Sequence, residues 1–323
     1  MKVTRSIKDD GNIMSPLYAM LTSLHNQNLP FHSTEHNLRH PLAICSISEA
    51  RFWAAILDLI DTIGNQNDIV KVCGSKELFN ATKEVIGSLA AYIDDIYLIF
   101  KTAYPKSTVE KEISFANRWL EKAGCTEGKD FTDVIVFAEP ITLADNCIKH
   151  NHGRIGTLNL KTPIYGNALG FYIESVSDDG VITPNEKIHP KYKGKATAFS
   201  YNRFVSEALS DFYFISHYAS RSLQRILDKR YPEYKIEHSV VIESQTPIKV
   251  LSAYEGLLTK VLFDDEYEKC PQIEFDGDRL FIKNPADQAY IKKRFKKCLQ
   301  GKIQVSFSGD GVTKSWKLPY MGR

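Results

Sequence analysis

Between residues 145 and 154 the chain sets Asp145, Asn146, Lys149, His150, His152 and Arg154 almost side by side. They offer a carboxylate, an amide, two imidazoles and two cations. Cleavage of an RNA backbone without a metal needs such a set. A base takes the proton of the 2′-hydroxyl, an acid protonates the leaving oxygen, and an amide or cation steadies the charged phosphorane. Histidine suits the first two roles because its pKa lies near neutral. The spacing is helical. A helix predicted over residues 130–151 puts Asn146 and His150 one turn apart on one face, with Asp145 one turn before Lys149. His150, Asn146 and His152 are therefore the candidate catalytic residues, and Lys149 and Arg154 the candidate phosphate-binding cations.

A long helix closing on Asp145-Asn146-Cys147-Ile148-Lys149-His150 resembles the active helix of HEPN-domain proteins. That family consists of small helical bundles and is frequent among RNA-cleaving toxins and anti-phage effectors. Its usual motif is an Arg, often followed by a polar residue, with a His a few positions on. Asn146 matches the polar position and His150 the histidine. Asp145 stands where the Arg is usual, so the motif is degenerate there. A carboxylate repels phosphate, and Lys149, His152, Arg154 or an Arg of a second copy must supply the cation if the site is live. The resemblance covers residues 46–159 in helix pattern. It implies a cytoplasmic ribonuclease or RNA-binding effector of a toxin or phage-defence system, working without metal or cofactor, as a homodimer or with an antitoxin or other partner protein. The alternative is a catalytically inactive helical scaffold that docks a partner protein or self-associates. Lys and His at a helix end need no catalytic reason, because cations favour a helix C-terminus.

Two further clusters carry chemistry. His32, His36 and His40, with Glu35, would align on one face of a helix, and imidazole is a good zinc ligand. Pro30 and Pro41 bracket the run, no Cys lies close and no His-Glu-x-x-His is present, so the expectation is a polar loop or short helix that holds no metal. Lys292, Lys293, Lys296 and Lys297 share a helix predicted over 285–299 with Arg294 and are candidate contacts to an RNA backbone. A solvated face of an amphipathic helix is the plainer account of them. His189 lies in a predicted loop from which it could reach the motif helix, and His217 beside an aromatic run reads as a core or boundary residue. There is no G-x-x-x-x-G-K-[ST], no G-x-G-x-x-G after a strand, no G-x-S-x-G and no EF-hand loop, so nucleotide hydrolysis and dehydrogenase chemistry have no support.

The elements that must position these groups are mostly helical. Ser15-Pro16 opens a first helix that ends before Pro30. A loop follows through Pro41, and a second helix runs from residue 46 to Gly64 with Phe52, Trp53, Ile56, Leu57 and Ile60 at helical spacing. Ser75 is an N-cap for the longest apolar stripe, Leu78 to Phe100, predicted as one uninterrupted helix over 75–104 that packs against the motif helix. A fourth helix is predicted over 108–123 with Ile113, Phe115 and Trp119 inward, and the motif helix over 130–151 with a bend at Pro140. Residues 154–160 and 168–176 alternate like strands. A loop spans 181–195, and an aromatic-rich helix 199–230. Beyond it come a strand over 236–242, the basic helix, and a hairpin of 302–307 with 315–318.

The fold class is thus α+β: a mainly α-helical, HEPN-like bundle over 1–233 with an inserted β-hairpin region (154–195), followed by a small α/β part over 234–323. The 323 residues are 43% hydrophobic and 25% charged, which is globular composition, and no apolar run approaches a membrane span. Residues 1–10 have no apolar core behind their charges, so the expectation is that they are not a signal peptide. The six cysteines are scattered without a C-x-x-C, which suits a reducing compartment and argues against a zinc ribbon. Net charge is only +2, so contact with nucleic acid must rely on local patches.

Overall fold

The computed structural model describes residues 13–64, 73–125, 129–150, 153–162, 166–176, 182–234, 245–257, 261–267, 269–276, 279–283 and 302–305. Among them are seven α-helices, one 3-10 turn and small antiparallel sheets. The helices are α1 (Pro16–Asn26), α2 (Pro41–Gly64), α3 (Lys76–Thr102), α4 (Ala116–Lys122), α5 (Lys129–His150), α6 (Tyr201–Arg230) and α7 (Gln245–Leu257).

Capping explains several starts. The hydroxyls of Ser15, Ser75 and Ser200 accept from Tyr18 N, Leu78 N and Arg203 N, each satisfying one of the amides a helix start leaves orphaned. α2 begins at Pro41, five residues earlier than the sequence suggests. Proline suits the first turn of a helix, and the His40 carbonyl accepts from Ala43 N and Ile44 N at 2.9 and 3.1 Å. The fourth helix is shorter than predicted. A 3-10 turn, Lys106–Thr108, follows Pro105, Val109 is extended, and α4 starts only at Ala116. The intervening Glu110, Lys111 and Glu112 are exposed, Val109 and Ile113 pack against the core from non-helical backbone, and Phe115, expected inward, is 67% exposed. α3 runs unbroken through the predicted span and packs against α2 and α5.

The core lies between α2, α3, α5 and α6. Phe212 of α6 stacks on Phe52 at 4.5 Å and meets Tyr92 at 4.9 Å, and Phe214 stacks on Phe137 of α5 at 4.8 Å. The fully buried aromatic rings remove large apolar areas from water and dominate the cohesion of the bundle.

The strands are β1 (Ile155–Thr162), β2 (Gly166–Val176), β3 (Ile182–Pro184), β4 (Lys191–Tyr192), β5 (Lys195–Ala196), β6 (Phe199–Ser200), β7 (Gln272–Asp276), β8 (Arg279–Lys283) and β9 (Lys302–Val305). The main sheet has the order β3-β2-β1-β9, with β6 also on β2. Its alternation sends Phe171 and Ile173 to the helical core, and Leu158, Leu160 and Tyr172 to a smaller cluster with Val261 and Phe263. Residues 182–196, read from sequence as loop, contain three short strands; β3 pairs with β2, and β4 with β5. Of the hairpin expected near the C-terminus, the first strand pairs with β1, Leu158 opposite Val305; its expected mate lies outside the described residues. The strand expected over 236–242 also lies outside them. α7 and the β7-β8 hairpin were not anticipated; Val250 and Leu251 of α7 are buried where it packs on α2.

Two of the buried carboxyls, Glu49 and Glu266, have their acid forms favoured by that burial. Glu49 of α2 accepts from the hydroxyl of Ser15, from Cys45 Sγ at 3.4 Å and from Tyr92 Oη at 3.4 Å, and burial pushes its carboxyl up to about 7. Glu266 accepts from Ser200 N at 2.8 Å and Phe263 N at 2.7 Å. Burial raises it as well, against the pull of the Arg203 guanidinium 3.9 Å away.

Candidate functional site

α5 delivers the sequence-singled residues to one end of the bundle. It passes through Pro140, where the ring leaves the Val136 carbonyl without its helical donor, and closes at His150. Asn146 and His150 are both exposed and one turn apart, as their spacing requires. Asp145 is more enclosed, at 13% against 49% for Lys149, and Lys149 Nζ lies 2.7 Å from its Oδ2. The cation offered as a phosphate ligand is thus engaged by the Asp145 carboxylate. Asp94 of α3 belongs to the same neighbourhood. Burial raises its carboxyl, Asp95 adds to the rise, Lys149 opposes it and Asp145 reinforces it.

The turn after α5 is closely built. Gly153 N donates to Cys147 O at 3.0 Å, and a Cβ on Gly153 would come within 2.8 Å of that oxygen and of Cys147 Sγ. Arg154 is exposed just before β1, and its carbonyl accepts from Glu174 N at 2.7 Å. His152 lies outside the described residues, as do Lys292, Lys293, Lys296 and Lys297.

The segment 185–189 closes over the same end of α5. Asn185 Nδ2 donates to Cys147 Sγ at 3.4 Å, and its Oδ1 accepts from Lys187 N at 3.0 Å. His189 does not itself reach the motif helix. It is buried against β2, where Nε2 accepts from Ile173 N at 2.8 Å and Phe199 lies 4.6 Å from its ring. Burial drives its pKa down to about 3, so the ring is neutral and Nδ1 carries the proton. That Nδ1 has no hydrogen-bond partner among the described residues.

Beside this loop a cleft of about 680 Å³, counted with its open mouth, separates α3, α5 and α6 from β2. Val85, Ile86, Ile141, Ala144, Phe171, Ile173, Ile188, Phe199 and Phe204 wall it, and Lys187, Glu207 and Asp211 supply charge. Sequence reading assigned Val85, Ile86 and Phe204 to buried helix stripes and gave no wall residue a binding role. The walls come from five elements and the 185–189 segment, far apart in the chain, and no local period announces such a convergence.

The other candidates separate. Residues 33–37 form turns rather than a helix face. His32 Nδ1 lies 2.6 Å from Glu35 Oε1 and Nε2 3.0 Å from Tyr231 Oη; His36 Nε2 meets the Tyr104 carbonyl at 2.8 Å; His40 packs edge-on against His25 and Phe31. Each imidazole serves a different neighbour, and among the described residues no group of three His, Cys, Asp or Glu is placed to hold a metal. His217 is half-buried, edge-on to Tyr218 at 5.3 Å. No helix among the described residues is long and apolar enough to cross a membrane. Set against known proteins, the chain matches no family model, no curated protein and no solved structure.

Proposed function

We propose that the protein acts on RNA at the C-terminal end of α5, as a metal-independent endoribonuclease or RNA-binding effector of the kind its HEPN resemblance implies. The observation that carries this reading is the exposure of His150 and Asn146 on one face of the helix end while Lys149 neutralises Asp145. In this scheme His150 takes the 2′-hydroxyl proton. The 2′-oxygen bonds to phosphorus, the bond to the 5′-oxygen breaks, and the leaving oxygen receives a proton from His152 or from a second copy's His150. Asn146 orients the phosphate, and Arg154, just past the helix end, is a candidate cation for it. A homodimer joining two such helix ends would double the local positive charge, and an antitoxin or other partner would cover it. The same reading places the protein in the cytoplasm, in a toxin or phage-defence system.

A second reading has its own support. Lys149 is engaged by Asp145, Asp94 lies behind, and the same helix exposes Ile135 and Val136 at 45% and 43%. Those features suit a catalytically inactive scaffold that docks a partner protein or a second copy through α5.

RNA cleavage and thermal melting of wild type, His150→Ala and Asp145→Arg decide between them. The catalytic reading expects His150→Ala to abolish cleavage with melting unchanged, since an exposed helix-end residue contributes little packing. It expects Asp145→Arg to keep or raise activity. Full cleavage in His150→Ala, or none in wild type, leaves the scaffold.

A further inference from the structure

We propose that the cleft between α3, α5, α6 and β2 is a nucleobase site, with guanine its preferred occupant. The walls are almost wholly apolar, and three rings, Phe171, Phe199 and Phe204, stand together in it, with Phe171 4.8 Å from Phe204 and 5.7 Å from Phe199.

The charged lining selects among apolar ligands. Glu207 and Asp211 stand one turn apart on α6, and Lys187 comes from the loop that Asn185 ties to α5. Arg203 binds one oxygen of Glu207 at 2.8 Å, and a carboxylate has about four acceptor positions. A fatty acid would meet the two carboxylates, and an alkylamine would meet Lys187. A neutral planar ring that carries both donors and acceptors satisfies both signs while its faces lie on the aromatic and aliphatic walls. That is the chemistry of a base taken out of a stack. Guanine sets two adjacent donors, N1–H and the N2 amine, against a carboxylate, and offers O6 and N7 to a cation. Adenine, cytosine and uracil lack that pair of adjacent donors.

The step from a free base to a base within RNA rests on the reading given above, and the two can fail separately. Calorimetric titration of the full chain with guanosine, adenosine and toluene is the test, repeated on Asp211→Asn and Lys187→Ala. Guanosine should bind roughly tenfold or more tighter than adenosine, the size of one good bidentate contact, and Asp211→Asn should lose about that factor. Lys187 is exposed, so Lys187→Ala gives a weakened guanosine affinity in a protein that still melts normally, even if Asp211→Asn disturbs folding. Absence of saturable guanosine binding at millimolar concentration, equal affinity for adenosine, toluene binding as tightly as guanosine, or guanosine affinity untouched by both substitutions overturns the proposal. Guanosine binding in a protein that leaves RNA intact removes the ribonuclease reading and keeps the cleft. His150-dependent cleavage without guanosine binding does the reverse.

Discussion

Replacing Glu49 by Gln should change how stability depends on pH, and the size of the change follows from where the carboxyl sits. Glu49 is 7% exposed, and every partner it has is a neutral hydroxyl or thiol: Ser15, Cys45 and Tyr92. Removing the charged form from water without a counter-charge favours the protonated acid, which pushes its pKa from an ordinary 4.5 up to about 7. The folded state therefore holds a proton that the unfolded chain releases between these two values. Stability from this group is complete below about 4.5, declines as pH rises, and is gone above about 7. At 1.36 kcal/mol per pKa unit the loss amounts to about 3 kcal/mol. That is a large share of the 5–15 kcal/mol by which domains are typically stable. The Gln amide cannot ionise. It keeps the Oε1 acceptor but carries two N–H where the protonated acid carries one O–H, and the extra donor left without an acceptor is a pH-independent cost of roughly 1–3 kcal/mol. Urea unfolding of both proteins from pH 4 to pH 8 separates the two effects. The variant should begin less stable at pH 4, and the difference, variant minus wild type, should climb by about 3 kcal/mol by pH 8. Glu266 titrates in the same direction in both proteins and cancels from the difference. Parallel stability curves across that range would show that Glu49 is not held protonated, and the account of the buried network would be wrong.

Two further outcomes test the packing and the site. Gly170→Ala should destabilise by about 1–3 kcal/mol, the usual cost of overpacking. Its Cβ would lie 2.5 Å from the Phe199 carbonyl oxygen and from the Phe263 ring, and the backbone oxygen cannot move aside; an unchanged urea midpoint would contradict this. Lys149→Ala should raise the Asp94 pKa further, because Lys149 is the nearest influence that lowers it, and a carboxyl titration followed by NMR that finds Asp94 unmoved would detach α3 from the candidate site.

The long helices were legible because each carries its own instructions. Ser75 caps, Leu78 to Phe100 repeats at helical spacing, and nothing inside the stretch breaks it, so α3 appears as read. The strand pair 155–176 was equally plain, since residues alternate between two buried faces. Where local signals conflicted with packing, the reading slipped. Residues 109–115 reach the core through Val109 and Ile113 from a non-helical backbone, a docking that no local period records. The sequence reading carries the loop through Pro41 and starts the helix at Ser46, whereas proline suits a first turn and begins the helix here.

At the candidate site the sequence by itself determined that Asn146 and His150 share a face and that Asp145 and Lys149 stand one turn apart, because the helical period is a property of the backbone. Tertiary structure alone decided the rest. It left His150 and Asn146 in solvent, half-sealed Asp145 so that Lys149 closes on it, set Asp94 of α3 close by, and sent His189 into an apolar slot as a neutral base. It also gathered Phe171, Phe199, Phe204, Lys187, Glu207 and Asp211 around one cleft. Spacing along a chain reports which groups one element presents together. The electrostatics and shape of a site depend on which other elements approach, and that is settled by how apolar faces pack, at sequence separations that no local pattern records.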